Sequence, residues 1–180
     1  MNKIVKARTT ILEMLQDRGY DTSTVEKTII EDSLNFCCKK QNDCVYIYFI
    51  KMNFKNSDIK NIISNHNETD KLIFIFAQKP NVNIIKYINS FQNDNYETFY
   101  LDLLQINITK HKLVPKHEIL NDDEIENLLH KYKLSCRYKL PTISKDDPIV
   151  KYYNFKKDSI CKITRNNPNC SNDIFYRCVR

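Results

Sequence analysis

Glycine is almost absent from this chain of 180 residues, which contains only Gly19. Loops that cradle phosphate need several glycines at fixed spacing, because their backbone amides must approach the ligand closely. The sequence therefore excludes a glycine-rich nucleotide-binding loop. It also lacks an apolar run near the roughly 18 residues that a membrane-spanning helix needs, and residues 1–6 lack the apolar stretch of a signal peptide. We expect a protein with no membrane partner that stays inside a cell or a virion.

Cysteine pairs at the spacing of a zinc site are also missing, although the chain has seven cysteines. Structural zinc sites usually draw ligands from residue pairs at short spacing. His111 and His117 could contribute, with Glu118 beside them, but Pro115 lies between the histidines and no further ligands are near. We therefore predict reduced thiols, no metal site and no cofactor.

A catalytic site is not supported either. A nuclease of the restriction-endonuclease type needs a carboxylate before one strand and an acid-x-Lys motif on the next, to hold a divalent cation. Asp43 precedes one predicted strand, but the following strand has no carboxylate before Lys79. No serine or cysteine stands in a recognisable nucleophile elbow. The sequence predicts no catalytic residues.

Positive charge is concentrated in the second part of the chain. Residues 1–110 carry 14 basic and 13 acidic side chains, whereas residues 111–180 carry 14 and 9. A basic module of this kind contacts nucleic acid or an acidic protein surface, and interleaved tyrosines are typical of both. A solvated basic face is the third interpretation. The residues concerned are Tyr152, Tyr153, Lys156, Lys157, Lys162, Arg165, Arg177 and Arg180.

Hydrophobic periodicity predicts a small α/β layer in residues 1–110. Apolar residues recur at helical spacing over residues 3–18, and Gly19 follows where a helix C-cap belongs. Further helices are predicted at residues 22–34, 57–66 and 82–91, and strands at 44–50, 72–77 and 98–104. The continuous apolar run of residues 72–77 suits a strand buried on both faces. The alternation of strands and helices favours parallel pairing.

Residues 111–180 are predicted to form a mixed α+β assembly domain, which makes the fold class α+β overall. Asn121 caps a helix over residues 121–132. The pair Asp146-Asp147 precedes Pro148 and begins a short helix over residues 147–153. Strands are predicted at residues 160–165 and 174–179. We place the domain boundary between residues 107 and 115, which divides an N-terminal domain, 1–110, from a C-terminal domain, 111–180.

The motifs of the C-terminal domain follow an order that resembles one known family. They are His111-Lys112-Leu113-Val114-Pro115-Lys116-His117-Glu118-Ile119-Leu120, Leu140-Pro141-Thr142-Ile143, Asp147-Pro148, Tyr152-Tyr153 and Tyr176-Arg177. This combination resembles the fifth shared subunit of eukaryotic-type DNA-dependent RNA polymerases and its shorter archaeal counterpart. Residues 10–20 resemble the opening helix of that subunit's N-terminal domain.

One departure from the family pattern follows the short helix. After Tyr153 the family usually has Gly-Leu-Lys-Arg-Gly, whereas this chain has Asn154-Phe155-Lys156-Lys157-Asp158. Asn and Asp tolerate a positive φ better than other residues with side chains. We therefore expect the turns at Asn154 and Asp158 to be preserved at some strain.

The resemblance implies an accessory subunit with no active site of its own. Its C-terminal domain would dock on the largest polymerase subunit, and its N-terminal domain would form part of the lower jaw near downstream duplex DNA. The docking residues that the resemblance implies are Leu113, Val114, Pro115, His117, Leu140, Pro141, Asp147, Pro148, Tyr152, Tyr153, Arg165, Tyr176 and Arg177. Lys156, Lys157 and Lys162 are candidates for contact with nucleic acid or an acidic surface.

Two questions stay open at this point. The source is either a eukaryotic cell, which implies the nucleus, or a large DNA virus, which implies the virion and the host cytoplasm. For either source, the resemblance implies other polymerase subunits as partners and no small-molecule substrate. The alternative function is a free-standing basic DNA-binding transcription regulator, which would bind DNA in a salt-dependent way by itself.

Overall fold

The computed structural model of the chain describes residues 3–23, 25, 34–40, 43–51, 54–67, 69–90, 95–165 and 173–180. The chain separates into two compact units, Met1–Ile106 and Asn107–Arg180, here called the N-terminal unit and the C-terminal unit. Both combine helices with a sheet, so the predicted α+β class is confirmed. Among the helices in the described ranges, none is long and apolar enough to cross a membrane.

The N-terminal unit contains a mixed sheet of four strands in the order β1, β2, β3, β4. They span Phe36–Lys40, Asp43–Ile50, Lys71–Phe76 and Tyr96–Tyr100. Strands β2, β3 and β4 pair in parallel, as predicted, while β1 pairs with β2 antiparallel. Helices α1, α2 and α3 span Lys3–Asp17, Asn56–Ser64 and Val82–Ser90. The last two connect the parallel strands, because parallel neighbours need a crossover connection.

Strand β3 lies at the centre of the N-terminal core, with five of its six residues buried. Leu72, Phe74 and Phe76 face one side of the sheet, where Ile59 and Ile63 of α2 and Ile84 and Ile88 of α3 pack on them. The alternating Ile73 and Ile75 are equally buried on the other side. The prediction of a strand buried on both faces is confirmed.

Helix α1 ends where the single glycine allows the chain to turn. Gly19 has a φ of +83°, and its amide donates to the Gln16 carbonyl at 2.8 Å. The Tyr20 amide donates to the Leu15 carbonyl at 2.9 Å, which completes a Schellman pattern of hydrogen bonds. The predicted C-cap role of Gly19 is confirmed.

The C-terminal unit contains a second sheet, in the order β5, β7, β8, β6. These strands span Lys116–Ile119, Ile160–Arg165, Asp173–Val179 and Thr142–Ile143. Strands β5, β7 and β8 pair antiparallel, and β6 pairs with β8 in parallel. Helices α4 and α5 span Asp122–Lys131 and Pro148–Tyr153.

Both predicted helix starts in the C-terminal unit are confirmed. Asn121 accepts a hydrogen bond from the Glu124 amide at 2.8 Å, and the Glu124 carboxylate accepts one from the Asn121 amide at 2.9 Å. This reciprocal pair is a capping box. Asp147 accepts a hydrogen bond from the Ile149 amide at 2.9 Å, and Pro148 occupies the first helical position.

Two details differ from the sequence predictions, and a third prediction falls mostly outside the described residues. The strand predicted at residues 98–104 runs over Tyr96–Tyr100 and is followed by a 3-10 helix, Leu101–Leu104. Strands β1, β5 and β6 were not predicted. Most of the helix predicted at residues 22–34 lies outside the described residues.

Candidate docking surface

The turn after α5 keeps the backbone conformation that the family's glycines would provide. Asn154 has a φ of 51° and Asp158 a φ of 65°. The Phe155 amide donates to the Val150 carbonyl at 3.0 Å, so α5 also ends in a Schellman pattern. Asn and Asp tolerate this left-handed region better than other residues with side chains. The prediction that Asn154 and Asp158 preserve these turns is confirmed.

The strand register divides the predicted docking residues between the two faces of the C-terminal sheet. His117 lies opposite Ile163, and Ile163 lies opposite Phe175. Ile119 lies opposite Cys161, and Cys161 lies opposite Arg177. Directly opposite residues share a face, and successive residues alternate between faces. One face, here called the arginine face, therefore carries His117, Ile119, Arg165, Phe175 and Arg177.

The arginine face combines exposed apolar side chains with cations around a buried centre. Ile119 and Phe175 are 40% and 45% exposed, whereas Cys161 and Ile163 between them are buried. The Arg165 guanidinium lies 5.2 Å from the centre of the Phe175 ring. Aromatic residues and arginine are the side chains that protein interfaces enrich most.

The opposite face of the same sheet is used for packing within the unit. Tyr176 and Leu140 lie against the cluster of Leu120, Ile125, Leu128 and Ile160, which joins α4 to the sheet. The Tyr176 ring also meets Tyr132 edge to face, with centroids 6.2 Å apart. Tyr176 and Leu140 therefore support the sheet from the face opposite the arginine face.

Lys162 belongs to that opposite face as well. It lies across from Glu118, whose carboxylate pairs with Lys116 at 2.7 Å. The hydrogen bond from Lys116 is the main cause that lowers the pKa of Glu118, and the charge of Lys162 contributes. The charge of Lys162 is thus partly offset by a neighbouring carboxylate, whereas Lys156 and Lys157 are exposed in the turn after α5.

Tyr152 was predicted to dock on a partner, and the structure corrects this prediction. Its side chain is only 3% exposed, and its hydroxyl accepts a hydrogen bond from the Asn107 Nδ2 at 3.0 Å. Asn107 is itself buried, and its Oδ1 accepts from the Thr109 amide at 3.0 Å. Tyr152 therefore anchors the start of the C-terminal unit to α5. No sequence pattern points to Asn107, because its partner is 45 residues away.

The segment before β5 holds one large apolar side chain in solvent. Leu113 is 84% exposed. The Val114 amide donates to the His111 carbonyl at 2.9 Å, and the His117 Nδ1 donates to the Pro115 carbonyl at 2.7 Å. These local bonds fix the turn that presents Leu113.

Both parts of the chain match models of one protein family. The model described as RNA polymerase Rpb5, N-terminal domain, matches residues 1–94, and RNA polymerase Rpb5, C-terminal domain, matches residues 106–179. The chain belongs to the RNA polymerase Rpb5 family. The resemblance found in the sequence motifs is therefore confirmed, and the chain is an accessory polymerase subunit rather than a free-standing regulator.

Relatives in the Rpb5 family match over nearly the full length. DNA-directed RNA polymerases IV and V subunit 5B of Arabidopsis thaliana is 30% identical, with 99% of this chain and 90% of that protein covered. DNA-directed RNA polymerase V subunit 5C of the same plant is 33% identical, with 96% and 82% covered. DNA-directed RNA polymerases I, II, and III subunit rpabc1 of Dictyostelium discoideum is 28% identical, with 99% and 98% covered.

Polar groups that could suggest chemistry in this Rpb5-family chain have structural partners. The Tyr48 hydroxyl lies 2.6 Å from the His66 Nε2, and the His66 Nδ1 lies 3.3 Å from the Asp70 carboxylate. Burial is the main cause that raises the pKa of Tyr48, which disfavours a phenolate nucleophile. The chain of bonds fastens the connection between α2 and β3 to β2.

The buried thiol of Cys161 and the carboxylate of Asp43 are held by burial and by an ion pair respectively. Burial is the main cause that raises the pKa of Cys161 to about 11, and the nearby Asp147 carboxylate adds to it. The Asp43 carboxylate, which a nuclease would use for metal, is paired with Lys71. Within the described ranges, no three His, Cys, Asp or Glu side chains form a group that could hold a metal ion.

Proposed function

We propose that this chain is a non-catalytic subunit of a multisubunit DNA-dependent RNA polymerase and that its C-terminal unit docks on the largest subunit. The N-terminal unit would form part of the lower jaw near downstream duplex DNA. The arginine face carries the proposal, because it combines two arginines with the exposed side chains of Ile119 and Phe175. The names of the relatives support the assignment to a DNA-directed RNA polymerase.

The composition of the arginine face favours a protein partner. Phe175 and Ile119 would lose solvent contact on docking, and each apolar side chain that becomes fully buried contributes about 1–3 kcal/mol. Arg165 is already stacked beside Phe175, so little side-chain freedom would be lost when a carboxylate of the partner binds it. His117 belongs to the same face, and Leu113, three residues before β5, is a further exposed apolar side chain.

The role of the N-terminal unit would be positional. Residues 1–110 have nearly balanced charge, with 14 basic and 13 acidic side chains. Non-specific DNA affinity comes mainly from phosphate contacts by lysine and arginine. A nearly neutral unit is therefore expected to contribute little DNA affinity by itself. The chain would act in the nucleus if its source is a eukaryotic cell, and in the virion and host cytoplasm if its source is viral.

The proposal is tested with two neighbouring residues that point to opposite faces of β8. Phe175 lies on the arginine face, and Ile174, which is 47% exposed, lies on the other. The full chain carrying Phe175→Asp or Ile174→Asp is co-expressed with the tagged largest subunit. We expect Phe175→Asp to reduce co-purification at least about tenfold, a loss of about 1.4 kcal/mol, and Ile174→Asp to leave it unchanged.

Purification of the tagged wild-type chain from its native source completes the test. Stoichiometric recovery of the large polymerase subunits is the expected result. If the chain is recovered alone, or with DNA and no polymerase, the docking role is wrong and the DNA-binding regulator replaces it. If Ile174→Asp and not Phe175→Asp abolishes recovery, the subunit role stands but the arginine face is the wrong surface.

A further inference from the structure

The outer edge of β5 carries backbone groups whose direction follows from the hydrogen bonds of the sheet. The Leu120 amide donates to the Ile160 carbonyl at 3.0 Å, in the same register as the β5–β7 pairing. Antiparallel pairs alternate between hydrogen-bonded and non-hydrogen-bonded positions. Glu118 and Lys116 therefore direct their backbone groups toward β7. His117 and Ile119 direct theirs away from the sheet.

The backbone hydrogen bonds of β8 alternate in direction in the same way. The Val179 amide donates to the Ser159 carbonyl at 3.0 Å, on the β7 side of β8. The Cys178 and Arg180 amides donate in the other direction, to Pro141 and Ile143 of the segment that forms β6. The backbone amide and carbonyl groups of the even-numbered residues of β8 thus point away from β7. The amide of Ile174, which lies beyond the short strand β6, points to the edge opposite β5.

Strand β5 has two common protections of a sheet edge, its length of only four residues and the exposed Lys116, but it lacks others. Proline, a bulge or inward-pointing charge are common protections, and residues 116–119 contain no proline. The two charged side chains, Lys116 and Glu118, bind each other on the face opposite the arginine face. Among the residues that the structure describes, none donates to or accepts from the outward backbone groups of His117 and Ile119.

We propose that an extended segment of the partner subunit adds to β5 as a further strand and bonds the backbone groups of His117 and Ile119. This inference rests on the proposed docking function and names its mode. The fitting segment has an apolar side chain opposite Ile119, which is 40% exposed. It also has a carboxylate toward the exposed Lys112, because Lys116 is already paired with Glu118. Main-chain bonds supply affinity in such strand addition, and the alternate side chains supply specificity.

The test separates the backbone of Ile119 from its side chain. Ile119→Pro removes an amide that points away from the sheet, which an edge strand tolerates, whereas Ile119→Ala keeps the amide and shortens the side chain. Ile174→Pro is the matched control, since Ile174 is similarly exposed, at 47%, and its amide points to the opposite edge. Each full-length variant is co-expressed with the tagged largest subunit, after thermal unfolding has shown that it folds.

Strand addition predicts that Ile119→Pro lowers recovery of the largest subunit at least about tenfold, while Ile119→Ala lowers it less than about threefold. Ile174→Pro is expected to retain wild-type recovery. Equal losses for Ile119→Pro and Ile119→Ala would overturn the proposal in favour of a side-chain contact. Unimpaired recovery of a folded Ile119→Pro chain would overturn it as well.

Hydrogen exchange on the wild-type chain decides the question if Ile119→Pro does not fold. The amides of His117 and Ile119 are expected to exchange rapidly in the uncomplexed chain and slowly in the complex, while that of Ile174 stays rapid. If the complex forms and both β5 amides still exchange rapidly, strand addition is wrong and the docking function stands. If the wild-type chain forms no complex with the largest subunit, the proposed function itself is wrong.

Discussion

Three described residues with side chains adopt the left-handed backbone conformation in this glycine-poor chain. Asn154 and Asp158 follow α5, and Lys133, with a φ of 52°, ends α4. At Lys133 the Leu134 amide donates to the Leu129 carbonyl at 2.9 Å, so the helix ends as a Schellman motif without glycine. Each position stores backbone strain, and the strain is largest for lysine because Asn and Asp visit this region more easily.

We expect Lys133→Gly to stabilise the chain by about 0.5–1 kcal/mol, because glycine relieves the positive φ at a small cost in unfolded-state entropy. Asn154→Gly is expected to give a smaller gain. Urea unfolding measures both free energies. Glu126→Gly, on the exposed face of α4, is the control and should destabilise by about 1 kcal/mol. A loss of stability for Lys133→Gly would show that the lysine side chain makes a contact that outweighs the strain.

The cysteines should differ sharply in reactivity because burial raises the pKa of two of them to about 11. These are Cys38 and Cys161, whereas Cys37 is exposed. Only the thiolate attacks alkylating reagents, and a raised pKa keeps the thiol protonated at pH 8. We expect brief iodoacetamide treatment of the folded chain to modify Cys37 and to spare Cys38 and Cys161, as read by peptide mass spectrometry. Equal labelling of the three would contradict the burial of Cys38 and Cys161.

At the scale of elements, the sequence predicts what is local and misses what depends on distant partners. The capping residues Gly19, Asn121 and Asp147 mark helix ends that the structure confirms. Strands β1 and β5 read Phe-Cys-Cys-Lys-Lys and Lys-His-Glu-Ile, which are short and partly charged. Such segments become strands because a neighbouring strand supplies hydrogen bonds, and strand propensity depends strongly on that context.

For the candidate docking surface too, the sequence predicts local features and misses those that depend on distant partners. The motifs place His117, Arg165 and Arg177 in a docking role, and the register places all three on one face. The same motifs give no information about which face each residue takes, since a shift of one residue in register would exchange the faces. Tyr152 was assigned to the docking surface by resemblance and by its basic and aromatic neighbours in sequence, and its buried partner Asn107 lies 45 residues away.

The end of α1 is attached to β4 by an ion pair. Arg18 and Glu97 form two hydrogen bonds of 2.8 Å, with side chains only 8% and 17% exposed. We expect Arg18→Met to destabilise the chain by about 3 kcal/mol, because it removes both of these hydrogen bonds and the opposite charge from a largely buried carboxylate. Arg18→Lys keeps the charge but loses the two-pronged geometry, and should cost about 1 kcal/mol.

Thermal or urea unfolding of the full chain measures these losses. Lys3→Met is the matched control, because the Lys3–Asp102 pair has side chains that are 68% and 73% exposed. Exposed pairs of this kind contribute little to stability, so no measurable change is expected. If the control destabilises as much as Arg18→Met, charge at α1 rather than the buried pair is the cause.

At the scale of the whole molecule, the two units differ in their charge and in the role that we propose for each. The N-terminal unit has nearly balanced charge, whereas residues 111–180 carry five more basic than acidic side chains. The proposed docking contacts, from Leu113 to Arg177, all lie within Asn107–Arg180. The assembly role should therefore be a property of the C-terminal unit, and the N-terminal unit should add function only after assembly.

This division predicts that residues 107–180 alone bind the largest subunit within about threefold of the affinity of the full chain. The unit has its own core around Leu120, Ile125, Leu128 and Ile160, but a domain of this size buries a limited fraction of its surface and should be less stable than the full chain. Circular dichroism first establishes that it folds, and competition against the labelled full chain then measures its affinity. Residues 1–106 should not compete. If the folded C-terminal unit binds more than about tenfold more weakly, the N-terminal unit supplies part of the docking energy and assembly belongs to both units.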